Sequence, residues 1–154
     1  MISYPTTEQI ILDCRRELLE VIGVEVTSDA AKVSVQMVEN VLRNVAVRAA
    51  HEIAWMREET ASMVMFANDV LAAIPGAAGV AGAFIALGDG PRDSLFLDDV
   101  TKVYRLAGEA MSCALEAALA TGHTEFSSRA ANLLTERNVR ELQIMGEWGF
   151  VGRG

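Results

Sequence analysis

Apolar residues recur every three to four positions at Val38, Val41, Leu42, Val45, Ala49, Ile53 and Met56, inside a run from Asp29 to Ile74 that holds neither proline nor glycine. That is the helical period, so the pattern predicts a long helix with one apolar and one polar stripe. Ser28 or Asp29 can cap its start, and Pro75-Gly76 stops it. The pattern weakens over Arg57-Glu58-Glu59-Thr60 and resumes at Met63, Phe66, Ala67, Val70, Leu71 and Ile74. Very long helices are uncommon in small domains, so a break or bend is expected near Thr60, which could serve as a second N-cap.

On either side the same period returns. Thr6 or Thr7 can cap a first helix carrying Ile10, Ile11, Cys14, Leu18, Leu19 and Ile22, with Asp13, Arg16, Glu17 and Glu20 on the opposite face. Gly23 is expected to end that helix and Val24 to Val26 to form an extended linker. Residues 76–97 are the least regular part, with glycines at 76, 79, 82, 88 and 90. A short apolar helix from Val80 to Leu87 and a turn at Gly88-Asp89-Gly90-Pro91 are expected there. Asp98 then caps a helix through Thr121 whose apolar side is Val100, Val103, Tyr104, Ala107, Met111, Ala114, Leu115 and Ala118, with Gly122 as its C′ residue. Thr124 caps the last helix, carrying Phe126, Ala130, Leu133, Leu134, Leu142 and Met145. The glycine-rich tail, 146–154, is expected to be pinned by Trp148 and Phe150.

These elements predict an all-α helical bundle of four to five main helices, with a Gly-rich connection near residues 76–97, in one domain over residues 1–154. Composition adds one thing to that picture. Hydrophobic residues make up 51% of the 154 but aromatics only 6%, and mean hydropathy is +0.25. A domain of this size has limited interior, so part of the apolar surface is expected to lie between subunits of a homodimer, near residues 63–87 and the C-terminal tail.

The charge narrows the partners. Thirteen basic residues are scattered among twenty-one acids, for a net charge of −8, which argues against nucleic acid and against anionic membranes. Val70 to Leu87 approaches the length of a membrane span, but Pro75 and three glycines interrupt it, and core or dimer contact is the better reading. Cys14 and Cys113 have no metal-type spacing and read as buried free thiols. With no secretory signal at the N-terminus, a reducing, cytoplasmic setting fits.

Candidate chemistry is sparse. The glycines at 76, 79 and 82 lack the flanking elements and the GK[ST] ending of a phosphate loop. His51-Glu52 and Glu58-Glu59 lack the paired Glu-x-x-His motifs of a di-iron bundle. Glu109 and Glu116 share a face of their helix but stand two turns apart, about 10 Å, with no nucleophile. No catalytic motif, metal site or cofactor is implied. More informative is a polar row: Gln36, Asn40, Asn44, Arg48 and His51, with Glu52, lie three or four apart on one helix face. It reads first as a solvent-facing stripe. The sharper reading is a polar seam between helices, or the lining of a small ligand site, because asparagine is a poorer surface helix residue than lysine or glutamate.

The segments PTTEQIILDCRRELLE and VSVQMVENVLRNVAVRAA resemble a family of small bacterial helical proteins, the DUF6285 proteins. Those open with a Pro-Thr/Ser and Glu-Leu-Leu helix, followed by a helix of Arg-Val-Ala-Ala-Asn-Ala-Leu type. Asn40 and Leu42 match; the family's arginine four residues before the asparagine is Gln36 here, and its following Arg-Glu-Leu is not reproduced. The resemblance covers about the first third of the chain. Genes of that family often lie near those of acyl-CoA dehydrogenases and aminoglycoside-phosphotransferase-like kinases, so the resemblance implies an accessory role around acyl-CoA metabolism. The expectation is therefore a non-enzymatic accessory or interaction subunit. The alternative is a bundle binding an apolar or acyl small molecule, with the row from Gln36 to His51 supplying polar contacts.

Overall fold

A capping box opens the first helix, α1 (Thr7–Glu17): the Thr6 hydroxyl accepts from the Gln9 backbone N–H, and Thr6 N–H donates to Gln9 Oε1 at 2.8 Å. The computed structural model describes residues 4–74 and 76–145; the expectations for the C-terminal tail and for Pro75 lie outside the described residues. Gly23 does not end α1. The chain runs on through a π-helical turn, Leu18–Ile22, into a helical turn, Gly23–Glu25, with Gly23 at φ −61°, and only Val26 is extended.

Helix α2 (Asp29–Ala73) follows, with the Ser28 hydroxyl accepting from the Ala31 N–H at 3.2 Å. The rest comprises α3 (Ala78–Gly88), α4 (Leu97–Ala120) and α5 (Thr124–Met145). The fold is all-α, and no strand occurs among the described residues.

The expected break at Thr60 is absent, and α2 is continuous over 45 residues. The polar stretch that weakened the pattern is not a cap. It finds partners from later in the chain: Tyr104 Oη donates to Glu59 Oε2 at 2.6 Å, and Arg57 Nη1 donates to the Ser94 carbonyl at 3.2 Å. Polar side chains facing a neighbouring segment look, in sequence, like an interruption.

Within the stretch read as one domain, the chain falls into two compact units. One takes in the chain up to Glu52 and again from Arg140; the other is Ile53–Val139. The unit Ile53–Val139 holds an apolar core of Met63, Phe66, Ala67 and Val70 from α2 and Ile74 just after it, with Val80 and Leu87 from α3. From α4 come Val103, Ala107, Ala110, Met111, Ala114 and Ala118. Four of those are alanines without any exposure, and short side chains at helical spacing let α3 pack closely along α4. Phe66 meets Phe126 edge-to-face, ring centroids 6.1 Å apart. The Arg129 guanidinium lies 5.5 Å from the Phe126 centroid and pairs with Asp69 at 2.5 Å.

Two ends of α4 differ from each other in how they are finished. Asp98 is not its cap: Phe96 is the capping position, without a side-chain cap bond, while Ser94 Oγ accepts from the Phe96 N–H and donates to Asp99. At the other end Gly122, at φ +74°, closes a Schellman motif. His123 N–H donates to the Ala118 carbonyl at 3.0 Å and Gly122 N–H to that of Leu119 at 3.2 Å.

This core revises the expected dimer surface. Met63, Phe66, Val70, Ile74, Val80 and Leu87 are buried within the chain itself, while Met65 and Ile85 from the same stretch face solvent.

Candidate functional site

In the unit reaching to Glu52, α1 and α2 meet through charge. Glu39 is buried, with its side chain only 5% exposed. Arg15, from α1, donates to Glu39 Oε1 through Nε at 2.7 Å and Nη2 at 2.6 Å. Gln36 Nε2 donates to Oε2 at 2.9 Å. Both carboxylate oxygens are thus engaged, which is what a buried charge requires. One turn further on, Arg43 Nη2 donates to Asn40 Oδ1 at 3.1 Å, while the buried Arg43 Nε has no partner among the described residues.

The row expected from sequence is therefore split. Gln36 joins the Glu39 network, Asn40 holds Arg43, and Arg48 pairs with Glu52 along the surface of the helix. Asn44 is half-buried and His51 exposed. The pair that joins the two helices, Arg15 and Glu39, was not among the expected residues, and neither was Arg43. Their signal was present: Val35, Glu39, Leu42 and Ala46 fall four, three and four apart, and all four are half-buried or buried. On α1 and into the π-helical turn the half-buried positions include Glu8, Ile11, Arg15 and Leu18, again at helical spacing.

That phase leaves part of the expected apolar face, Val38, Val41, Val45 and Ala49, pointing outward, while Leu42, Ile53 and Met56 are half-buried. Val33, Met37, Val38, Val41 and Val45 are exposed, Met37 by 65%, and among the described hydrophobic residues of this unit only Ala46 is fully buried. Cys14, read as a buried thiol, is exposed because it lies beside rather than on the Ile11–Arg15–Leu18 face; Cys113 is half-buried.

The unit Ile53–Val139 contains a pocket of about 250 Å³ that none of the expected site residues lines. Arg57, Thr60, Ala61 and Val64 come from one face of α2, at spacings of three, one and three. Leu87, at the end of α3, and Val100 and Val103, on the first turns of α4, supply further apolar wall. The loop Pro91–Ser94 closes the remaining side, with Arg92 Nε donating to the Leu87 carbonyl at 3.2 Å. Gly90 permits that loop course, since a Cβ there would stand 3.2 Å from the Leu87 carbonyl oxygen and 3.4 Å from Val103 Cγ2.

No carboxylate lies within ion-pair distance of Arg57 or Arg92 among the described residues. Nor do three His, Cys, Asp or Glu side chains gather as a metal site among them, and Glu109 and Glu116 are both exposed. No helix among the described residues is long and apolar enough to cross a membrane.

Compared with known proteins, the chain matches no family model, no curated protein and no solved structure.

Proposed function

We propose that this protein is a non-enzymatic accessory or interaction subunit that assembles through the N-terminal half of α2. The observation that carries the reading is the exposed row Val33, Met37, Val38, Val41 and Val45. Within it Val38, Val41 and Val45 are spaced three and four, the spacing of a coiled-coil seam. Isolated exposed valines need no explanation, but a row of them along one helix marks an interaction surface. The first partner is a second copy of the chain, since a stripe on a helix can meet its own symmetry mate in a two-fold dimer. The segments that resemble the DUF6285 proteins extend the proposal to an accessory role around acyl-CoA metabolism, in the cytoplasm.

Native mass spectrometry and sedimentation of the full chain at micromolar concentration test this. The expected result is a dimer that becomes monomeric in the double variant Val38→Glu, Val45→Glu, with helical content retained. A wild-type monomer that also recovers no second polypeptide from its host would overturn the proposal. So would a dimer indifferent to the double substitution.

A further inference from the structure

We infer that the pocket between α2, α3 and α4 in the unit Ile53–Val139 binds a small amphipathic monocarboxylate, its head on Arg57 and Arg92 and its apolar body against Val64, Leu87 and Val103. The inference is independent of the assembly reading, because none of the exposed valines of α2 lines this pocket.

Three observations lead to that chemistry. The first is the pair of guanidiniums. Two arginines line one pocket, and neither has a carboxylate within ion-pair distance among the described residues. Each spends one N–H on a backbone carbonyl, Arg57 on Ser94 and Arg92 on Leu87. Those bonds fix the side chains at the rim and leave several donors over, in the fork geometry that suits a planar carboxylate.

The second observation is the wall. Ala61, Val64, Leu87, Pro91, Val100 and Val103 supply most of it. Leu87 is almost wholly buried and Val100 and Val103 nearly so, so this surface is a standing feature of the core rather than a loose patch. In front of it Ala61 is exposed and Val64 and Pro91 are half-buried; an inorganic anion would leave these wet, whereas a ligand with an apolar body would cover them.

The third is size. A volume of about 250 Å³ falls below the roughly 300 Å³ at which pockets for drug-sized ligands begin, and above the about 150 Å³ of an apolar cavity that holds benzene. A carboxylate bearing about six carbons fits that range. Asp99 is the acid nearest in the wiring of the site, and its carboxylate is engaged by Ser94 Oγ at 2.6 Å. The hydroxyl of Thr60 adds a polar group on the α2 side of the pocket.

The test is a titration of the full chain with hexanoate, hexanol and acetate, followed through the methyl resonances of Val64, Leu87, Val100 and Val103. Hexanoate is expected to saturate and to shift those methyls. Hexanol, which keeps the body without the charge, and acetate, which keeps the charge without the body, should each bind at least about tenfold more weakly. Arg57→Gln and Arg92→Gln should each weaken hexanoate about tenfold and leave hexanol unchanged. Both arginines are exposed, so these variants are expected to fold, and the comparison of ligands on the wild type stands without them. Equal binding of hexanol and hexanoate would overturn the inference, as would shifts confined to methyls elsewhere or no saturation by hexanoate.

Discussion

Helix α2 contributes to both units, and its two halves solve opposite problems. From Met63 onward its apolar positions close onto α3, α4 and α5, and Phe66, Ala67 and Val70 retain almost no exposure. Before Glu52 the buried positions are Glu39 and Ala46, and Val33, Val38, Val41 and Val45 face outward. Burial of apolar side chains is non-directional and contributes roughly 1.5–3 kcal/mol for each large one. A buried ion pair contributes little net stability, because desolvation offsets most of the attraction, but it demands one geometry. The C-terminal half of α2 is therefore where the fold gets its stability. The N-terminal half is where one charged contact fixes pairing geometry, while Val33, Met37, Val38, Val41 and Val45 stay exposed.

The largest expected effect tests the first half of that contrast. Phe66 is 1% exposed and stacks edge-to-face on Phe126. Phe66→Ala removes a ring from a closed core and should cost roughly 3–5 kcal/mol in urea unfolding. Native-state hydrogen exchange should place that loss in the amides of Ile53–Val139, which are expected to be the best protected in the wild type. A cost below about 1 kcal/mol would mean that this core is far less closed than its burial indicates.

The seam gives the next largest effect. Glu39→Ala leaves Arg15 and Gln36 without their acceptor, and breaking a fully buried pair costs about 3–5 kcal/mol. Arg15 keeps 33% of its side-chain exposure and can turn to water, so the expectation is lower, about 2 kcal/mol. Glu39→Gln preserves one acceptor and should cost about half as much. Thermal and urea unfolding read both. If the alanine variant is as stable as wild type, Glu39 specifies nothing and the two halves of α2 differ only in degree.

Much of this was legible in the sequence where a local rule decides the outcome. Thr6 with Gln9 is a capping box at the spacing that rule requires, and Gly122 sits where a Schellman motif needs a left-handed residue. The core positions of α2 after Met63 and of α4 follow from period alone. What failed was phase. Val38, Val41 and Val45 are more hydrophobic than Glu39, so a reading by apolar period turns the helix the wrong way. Only the partner on α1, Arg15, makes the opposite phase favourable. The same cause hid the continuity of α2 at Thr60, whose neighbours are satisfied by Ser94 and Tyr104 some forty positions away. It also hid the pocket, which depends on Arg57 and a loop carrying Arg92 lining one space, and no spacing rule gives the course of that loop.

The smallest expected effect on the chain itself is the one that decides what the outward valines are for. Met37 is 65% exposed, so within one chain Met37→Lys removes almost no buried surface and should change stability by no more than about 0.5 kcal/mol. In an assembly that buries the stripe the same substitution places an ammonium among valines, where it is unpaired and poorly hydrated. The two cases separate by concentration. A protein stabilised by self-association unfolds at a temperature that rises with its own concentration, and that dependence is expected for wild type and should vanish in the Met37→Lys variant. At the dilute limit the two proteins should then unfold together. If wild-type unfolding is already independent of concentration, the exposed valines before Glu52 are not covered by a second copy, and the proposed assembly then stands or falls on recovery of a different polypeptide from the host.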